Sequence, residues 1–348
     1  MDDLHLVIAV NGGYVMRHQL NDIGHDDAAI RRAVRAGVLK RVRHGTYVMA
    51  SVWATMTATE RHCVLARSVL EKLGPSVVAS HHTAAALHGY DLYGLDLDVV
   101  HVTRLDGRSG RKEAGVVYHH GLILPEDIQE VGGLLVVRPT RAVFETCSTA
   151  TVESGMVVAS SALRTRAITQ DELLEDGHRF DHWLGTRRAR LAIRLADGRL
   201  ETVGEVRSLH MMWRHQIPHP ELQHVITADD GRFVARTDFA WIAARHTGEF
   251  DGLVKYGRLN PHKDDPGRSI TGEKVREDAV RDQMFGMSRW GWSGLDDDAQ
   301  ARTAEMIQRG IERSRTLYTR NATVIALGRG APDVIAPSGH GDDLPGTA

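Results

Sequence analysis

The 348-residue chain carries 43 Lys and Arg against 45 Asp and Glu, a net charge of -2 that argues against a protein coating nucleic acid over its whole surface, while leaving room for local basic patches. With 42% hydrophobic and 25% charged residues it reads as a soluble globular protein long enough for two or three domains. No early apolar run is long enough to span a bilayer, Met1-Asp2-Asp3 lacks the basic start of a signal peptide, and two cysteines, Cys63 and Cys147, are too few for a disulfide framework or a thiolate zinc site, so a cytoplasmic protein with two small buried thiols is expected.

Residues 1 to 50 predict three short helices and a hairpin. Leu4 to Val10 is an apolar run stopped by Asn11-Gly12-Gly13, and Met16 to Ile23 is closed by Gly24. Asp26 and Asp27 suit the start of a third helix because acids cap free amides and meet the positive end of the dipole; Gly37 suits its end. Ile30, Ala33 and Val34 share one face of that helix, leaving Arg31, Arg32 and Arg35 mostly on the other. Two strand runs then flank His44-Gly45, and Lys40, Arg41 and Arg43 extend the basic stretch without an intervening acid. This is a winged helix-turn-helix pattern. The helix can enter a major groove while the hairpin reaches flanking phosphates, so Arg31, Arg32, Arg35, Lys40, Arg41 and Arg43 are the candidate contacts to double-stranded DNA. A small helical domain with a solvated basic face is the plainer alternative.

Residues 51 to 180 predict a mixed helix and strand region. Helices are expected over Thr59 to Leu73, from a Ser80 cap through Leu87, after Pro139-Thr140-Arg141, over Ser154 to Leu163 and over Thr169 to Leu174. Val77 to Ala79, Val99 to Thr103 and Gly115 to His119 read as strands, the last two separated by a basic, glycine-rich loop from Asp106 to Gly115. The 20 histidines are scattered, and adjacent pairs such as His81-His82 and His119-His120 point to different sides of an element, which makes them poor joint ligands. His81, His82 and His88 on an alanine-rich helix read as packing or hydrogen-bonding residues.

The hairpin through Arg43-His44-Gly45-Thr46-Tyr47-Val48, the Ser80 to Gly89 stretch, Val99 to Thr103 and Arg138-Pro139-Thr140-Arg141 together resemble the AbiEi-type antitoxins over about the first half of the chain. That resemblance implies a DNA-binding winged helix, often autoregulatory. It does not imply that a toxin partner exists.

Residues 181 to 327 predict the order helix, strand, strand, strand, helix, strand, helix. Thr202 to His215 is helical with Glu205 in its first turn; Leu222 to Ala228 and Phe233 to Trp241 are strands around an Asp229-Asp230-Gly231 reversal; Thr247 to Phe250 is a third strand. A helix from Glu273 to about Phe285 and a strand from Met287 to Trp292 follow, with a last strand candidate at Thr323 to Leu327 and a disordered tail over 328 to 348. Alternation places Asp238 opposite Glu249 if the reversal is a two-residue turn at Ala243-Ala244, and opposite Asp251 if the turn has four residues. Either way two carboxylates face each other across a strand pair. Such repulsion asks for an offset, either a hard cation such as Mg2+ or nearby arginines such as Arg236 and Arg245.

The order of these elements is that of the PD-(D/E)XK nuclease core, and the local words Gly204-Glu205, Thr237-Asp238-Phe239, Gly248 to Gly252, Lys255-Tyr256, Glu273 to Asp278 and Arg289-Trp290 resemble its Vsr-like and DUF559-like branch. By that resemblance Asp238 and Glu249 hold Mg2+, Glu205 supports the metal or a water, and Lys255 steadies the attacked phosphate. Thr237 stands where the family has Pro, and Asp251 where it has Lys. The overall expectation is an α+β chain: a winged helix-turn-helix over 1 to 50, a mixed α/β region over 51 to 180, and a restriction-endonuclease-like core over 181 to 327. Its expected role is Mg2+-dependent DNA cleavage in phage or plasmid defence, or else that of an antitoxin-like regulator with a degenerate nuclease fold. Double-stranded DNA is the expected partner, a homodimer is left open, and neither a membrane nor a toxin partner is supported.

Overall fold

The computed structural model describes residues 2–252 and 278–319. Lys255 and Tyr256, the stretch Glu273 to Glu277, the strand candidate at 323 to 327 and the tail lie outside the described residues. The chain is a mixed α/β protein in which, among the described residues, helices pack on three separate sheets.

The first unit contains α1 (Asp2–Val10), β1 (Val15–Met16), α2 (Arg17–Asp22), α3 (Asp27–Arg35), β2 (Leu39–Arg43) and β3 (Thr46–Met49), with β3 central in the strand order β1-β3-β2. Asp26 caps α3 by accepting the Ala29 N–H at 2.7 Å, which satisfies one of the free amides at the helix start. Leu4, Ile8, Val15, Leu20, Ile30 and Leu39 close a small core. Tyr14, Met16 and Val48 then bury against Val64 of α5 (Ala58–Leu73), which follows the short α4 (Ala50–Thr55) and ties this unit to the next.

A six-stranded sheet follows, from β4 (Val77–Ala79), β5 (Val100–Arg104), β6 (Arg111–Glu113), β7 (Val116–His119), β8 (Ile128–Val131) and β9 (Leu134–Val137) in the order β6-β7-β5-β4-β9-β8. Strand β6 lies inside what the sequence reads as a loop, because its three exposed polar residues show no alternation and are held by pairing with β7. The hairpin β8-β9 around Gly132-Gly133 also has no counterpart among the sequence expectations. α6 (His81–Leu87) sits after Ser80 as expected, but the Ser80 side chain makes no cap hydrogen bond; its hydroxyl lies 3.2 Å from His81 Nδ1.

Helices α7 (Pro139–Thr149), α8 (Val152–Arg164), α9 (Gln170–Asp176) and α10 (Thr186–Leu195) pack together, and α8 in turn packs on α11 (Val203–Arg214). One apolar core therefore runs from Ala85 through Phe144, Met156 and Ile193 to Phe239, Trp290 and Ile311. The helix pair α8 and α11 is pinned by Arg207, whose Nε donates to Glu153 at 2.8 Å and whose Nη2 donates to the Leu295 carbonyl at 2.6 Å.

The third sheet orders β10 (Glu221–Thr227), β11 (Phe233–Trp241), β12 (His246–Asp251) and β13 (Gly286–Gly291) sequentially; its first three strands are antiparallel, and β13 runs parallel to β12. α12 (Gln300–Ser314) covers β13. Phe239 is fully buried with its ring centroid 5.6 Å from that of Trp290; burial of such a side chain contributes about 1.5–3 kcal/mol. Trp290 also donates its indole N–H to Ser208 at 2.8 Å, joining β13 to α11. It is a core residue.

Candidate active site

α11 begins where Thr202 accepts the Glu205 N–H at 3.2 Å, and it buries Val206, Leu209 and Met212 at helical spacing. Gly204 lies against Phe250 so closely that a Cβ there would stand 1.9 Å from the ring. Glycine is what lets the helix start press onto the end of β12. That close approach sets Glu205 behind the acids of the sheet.

Between β11 and β12 the chain reverses through Ile242–Ala244, with Arg245 left-handed at φ 54°. The loop is longer than a two-residue turn, yet the ladder Trp241↔His246, Ala240↔Thr247 and Phe239↔Gly248 has the register that such a turn would impose. The ladder ends there; continued by one step, its register would set Asp238 against Glu249 rather than Asp251. The ladder gives way to a side chain at this point: Asp238 Oδ2 accepts the Phe250 N–H at 2.8 Å.

Asp238, Glu249 and Asp251 line one cleft of about 370 Å³ together with Phe233, Arg236 and Arg289. Burial pushes the Asp238 carboxyl up to about 6; the Phe250 N–H opposes that rise, and the carboxylates of Glu205, Glu249 and Glu201 add to it. Glu205 is buried and accepts from Glu201 N at 2.9 Å, from Thr202 Oγ1 at 2.8 Å and from Gln223 Nε2 at 2.9 Å. Burial raises its carboxyl, and the Glu201 and Thr202 donors pull it back. Glu205 thus fastens its own helix start while adding negative charge beside Asp238.

The two arginines expected as offsets pair elsewhere. Arg236 meets Glu201 at 3.0 Å, and Arg245 donates to the Gln283 and Met284 carbonyls. Glu249 is met by Arg289, directly across the parallel β12-β13 ladder, with Nη2 at 3.0 Å. The register match of an acid on one strand with a base on the next is not accessible from either segment alone.

In the first unit Arg31, Arg32 and Arg35 are exposed along α3, and Lys40 and Arg41 are exposed on β2. Lys40 lies over the Trp53 ring, its Nζ 5.8 Å from the centroid. Arg43 is half-buried and donates to the Ala114 carbonyl at 2.7 Å, which ties the hairpin to the sheet region; burial lowers its pKa.

The histidines His62, His81, His82, His88, His101 and His119 around the six-stranded sheet separate into two groups that local sequence pattern does not distinguish. His62 is held by the Leu97 carbonyl at 2.8 Å and by Thr83 Oγ1 at 3.0 Å, His82 by the Val99 carbonyl at 3.3 Å, and His88 by the Val137 carbonyl at 2.8 Å. His81, His101 and His119 instead bring one ring nitrogen each within 4.8 Å of one another. His81 and His101 are forced to stay neutral by burial and by neighbouring imidazoles, His101 down to about 2, and burial with the adjacent His120 takes His119 to about 4. The signal present in the sequence is the placement of His101 and His119 in two alternating strand runs.

No family model matches the chain. Over 216 residues, 61% of this chain and 76% of theirs, it is 28% identical to uncharacterized proteins from two strains of Mycobacterium tuberculosis. Among the described residues no helix is long and apolar enough to cross a membrane.

Proposed function

We propose that this chain is a cytoplasmic DNA-binding protein whose C-terminal unit hydrolyses phosphodiester bonds with Mg2+. The observation that carries the proposal is that Asp238, Glu249 and Asp251 line one cleft at the end of β11 and β12, with the Glu249 and Glu205 carboxylates close enough to raise the Asp238 carboxyl further. The donor set fits the ion: carboxylate oxygens suit hard Mg2+, and although burial is the main reason the Asp238 carboxyl is raised, the carboxylates of Glu205, Glu249 and Glu201 add to the rise, a repulsion that a divalent cation would relieve. Asp238 and Glu249 would hold the ion, with Asp251 lining the same cleft; the ion would supply a water nucleophile near neutral pH and shield charge on the attacked phosphate.

The residues of the chain have separable tasks. The Phe250 N–H orients the Asp238 carboxylate, and the Glu205 hydrogen bonds fix the start of α11, where Gly204 packs on Phe250. Arg31, Arg32 and Arg35 on α3, read as the recognition helix of a winged helix-turn-helix, would hold duplex DNA through its phosphates. By resemblance Lys255 would add a positive point near the phosphate.

A second reading, an antitoxin-like regulator with a degenerate nuclease fold, is favoured by one contact: Arg289 already neutralises Glu249 at 3.0 Å. Plasmid and linear duplex DNA incubated with Mg2+ separate the two. Cleavage by the wild type that disappears in Asp238→Ala, with DNA binding retained, supports the nuclease. Intact DNA with both Mg2+ and Mn2+, alongside tight binding to its own upstream DNA, supports the regulator.

A further inference from the structure

We propose that His81, His101 and His119 form a transition-metal site in the six-stranded sheet region, separate from the acidic cleft, with Zn2+ as the best-matched ion. Three neutral imidazoles are a donor set suited to zinc, and three protein ligands leave one position open for water or a small ligand.

Four observations converge on these residues. Their ring nitrogens already lie within 4.8 Å of one another, so that turning the His119 ring can bring all three to the zinc–nitrogen distance of about 2.0–2.1 Å. His62, His82 and His88 spend ring nitrogens on backbone carbonyls, whereas the hydrogen bond of His101 Nδ1 is to His119 Nε2 at 2.9 Å, an interaction among the candidate ligands themselves. His81 Nδ1 faces Ser80 Oγ at 3.2 Å and Glu145 Oε2 at 3.5 Å, leaving Nε2 for an ion; such a carboxylate behind a histidine fixes tautomer and ring orientation at metal centres. His81 also holds a left-handed backbone, φ 53°, at the start of α6, a conformation disfavoured for a residue with a Cβ.

The scaffold behind the cluster is stiff. Glu145 accepts the His81 backbone N–H at 3.0 Å and is locked by Arg141 at 2.8 Å. His101 and His119 sit on adjacent parallel strands, with Thr103 opposite His119 and two residues from His101 on the same face. The Thr103 hydroxyl is buried without a hydrogen-bond partner, a polar group that a water on the open coordination position could satisfy. Ligation requires one movement: His119, half-exposed, turns out of the 3.7 Å stack it makes on His81 and gives up its bond to His101.

The test uses the full chain, stripped with a chelator and titrated with Zn2+, with Co2+ as the spectroscopic probe. The expected results are about one tightly bound zinc per chain, tetrahedral Co2+ bands, and binding weakened more than about tenfold in His101→Ala and in His119→Ala. His88→Ala, whose ring is held by the Val137 carbonyl, should bind as the wild type does. X-ray absorption on the zinc-loaded wild type should show an imidazole-rich shell, a readout independent of whether any variant folds. A hydrogen-bonded histidine network and nothing more is the conclusion if the wild type shows no saturable zinc binding, if the shell contains oxygen alone, or if His101→Ala and His119→Ala retain wild-type affinity. Any of these overturns the proposal.

Discussion

Asp238 accepts the Phe250 backbone N–H at 2.8 Å immediately beyond the last ladder pair, Phe239 with Gly248, so a carboxylate side chain takes over from the backbone at the edge of an acidic cleft. The bond orients Asp238, yet it does not offset burial and three neighbouring carboxylates, and the group stays protonated up to about pH 6. The consequences of that arrangement can be measured.

A carboxyl whose folded pKa lies above its unfolded value stabilises the fold fully at low pH and loses that stabilisation as pH rises through about 4 to 6. Asp238→Asn removes the ionisation, so at pH 7 and without metal it should be more stable than the wild type by about 1–3 kcal/mol, the difference vanishing below pH 4. Urea denaturation at several pH values measures this. Mg2+ should raise the melting temperature of the wild type and leave that of Asp238→Asn unchanged; an equal rise in both would place the ion elsewhere.

Gly204→Ala puts a methyl group 1.9 Å from the Phe250 ring and pushes the start of α11 off β12. Overpacking of this kind costs about 1–3 kcal/mol. The double variant Gly204→Ala with Phe250→Ala should be less destabilised than the two single effects summed, since the clash and the ring belong to the same interaction. Additive effects in a double-mutant cycle would refute the close packing.

Asp127 is fully buried and accepts from Arg141 Nη1 at 2.7 Å and from Arg179 at 2.8 and 3.0 Å, while Arg138 bridges toward Asp127 and Asp176. Asp127→Ala leaves the Arg141 guanidinium, 1% exposed, with only Glu145 as an acidic partner among the described residues. Removing one member of a buried ion-pair network costs about 3–5 kcal/mol, so a large drop in the denaturation midpoint is expected. An effect under about 1 kcal/mol would mean that the network is solvated.

Arg31, Arg32 and Arg35 lie toward solvent on α3, so replacing all three with Ala should leave stability nearly unchanged. If they bind phosphates, duplex affinity falls and the slope of log affinity against log salt becomes shallower by about 0.9 for each phosphate that is no longer neutralised. An unchanged slope in a fluorescence-anisotropy titration would remove α3 from the DNA interface.

Local pattern is enough for much of this. The alternation and turn residues from Leu222 onward predict strand β11 with the bounds observed, Phe233–Trp241, and the capping acids and glycines around α3 and the periodicity of α5 likewise come from near neighbours in the chain. Side-chain spacing also singles out Asp238 and Glu249, because strand periodicity leaves only two registers across that reversal. What spacing cannot do is choose between them, detect β6 with its exposed polar residues, or pair Arg289 with Glu249 across a parallel ladder. Parallel pairing joins segments separated by a long crossover and has no local signature. The same limit hides the histidine cluster: His81 starts a helix, and His101 and His119 belong to two strands, so only the packing of α6 on the sheet decides that they meet while His82 and His88 turn to backbone carbonyls. Sequence determined most of the helices and the buried strands, through interactions between residues close along the chain; tertiary structure decided strands such as β6 and which charges and imidazoles face one another, because these depend on register and packing between distant segments.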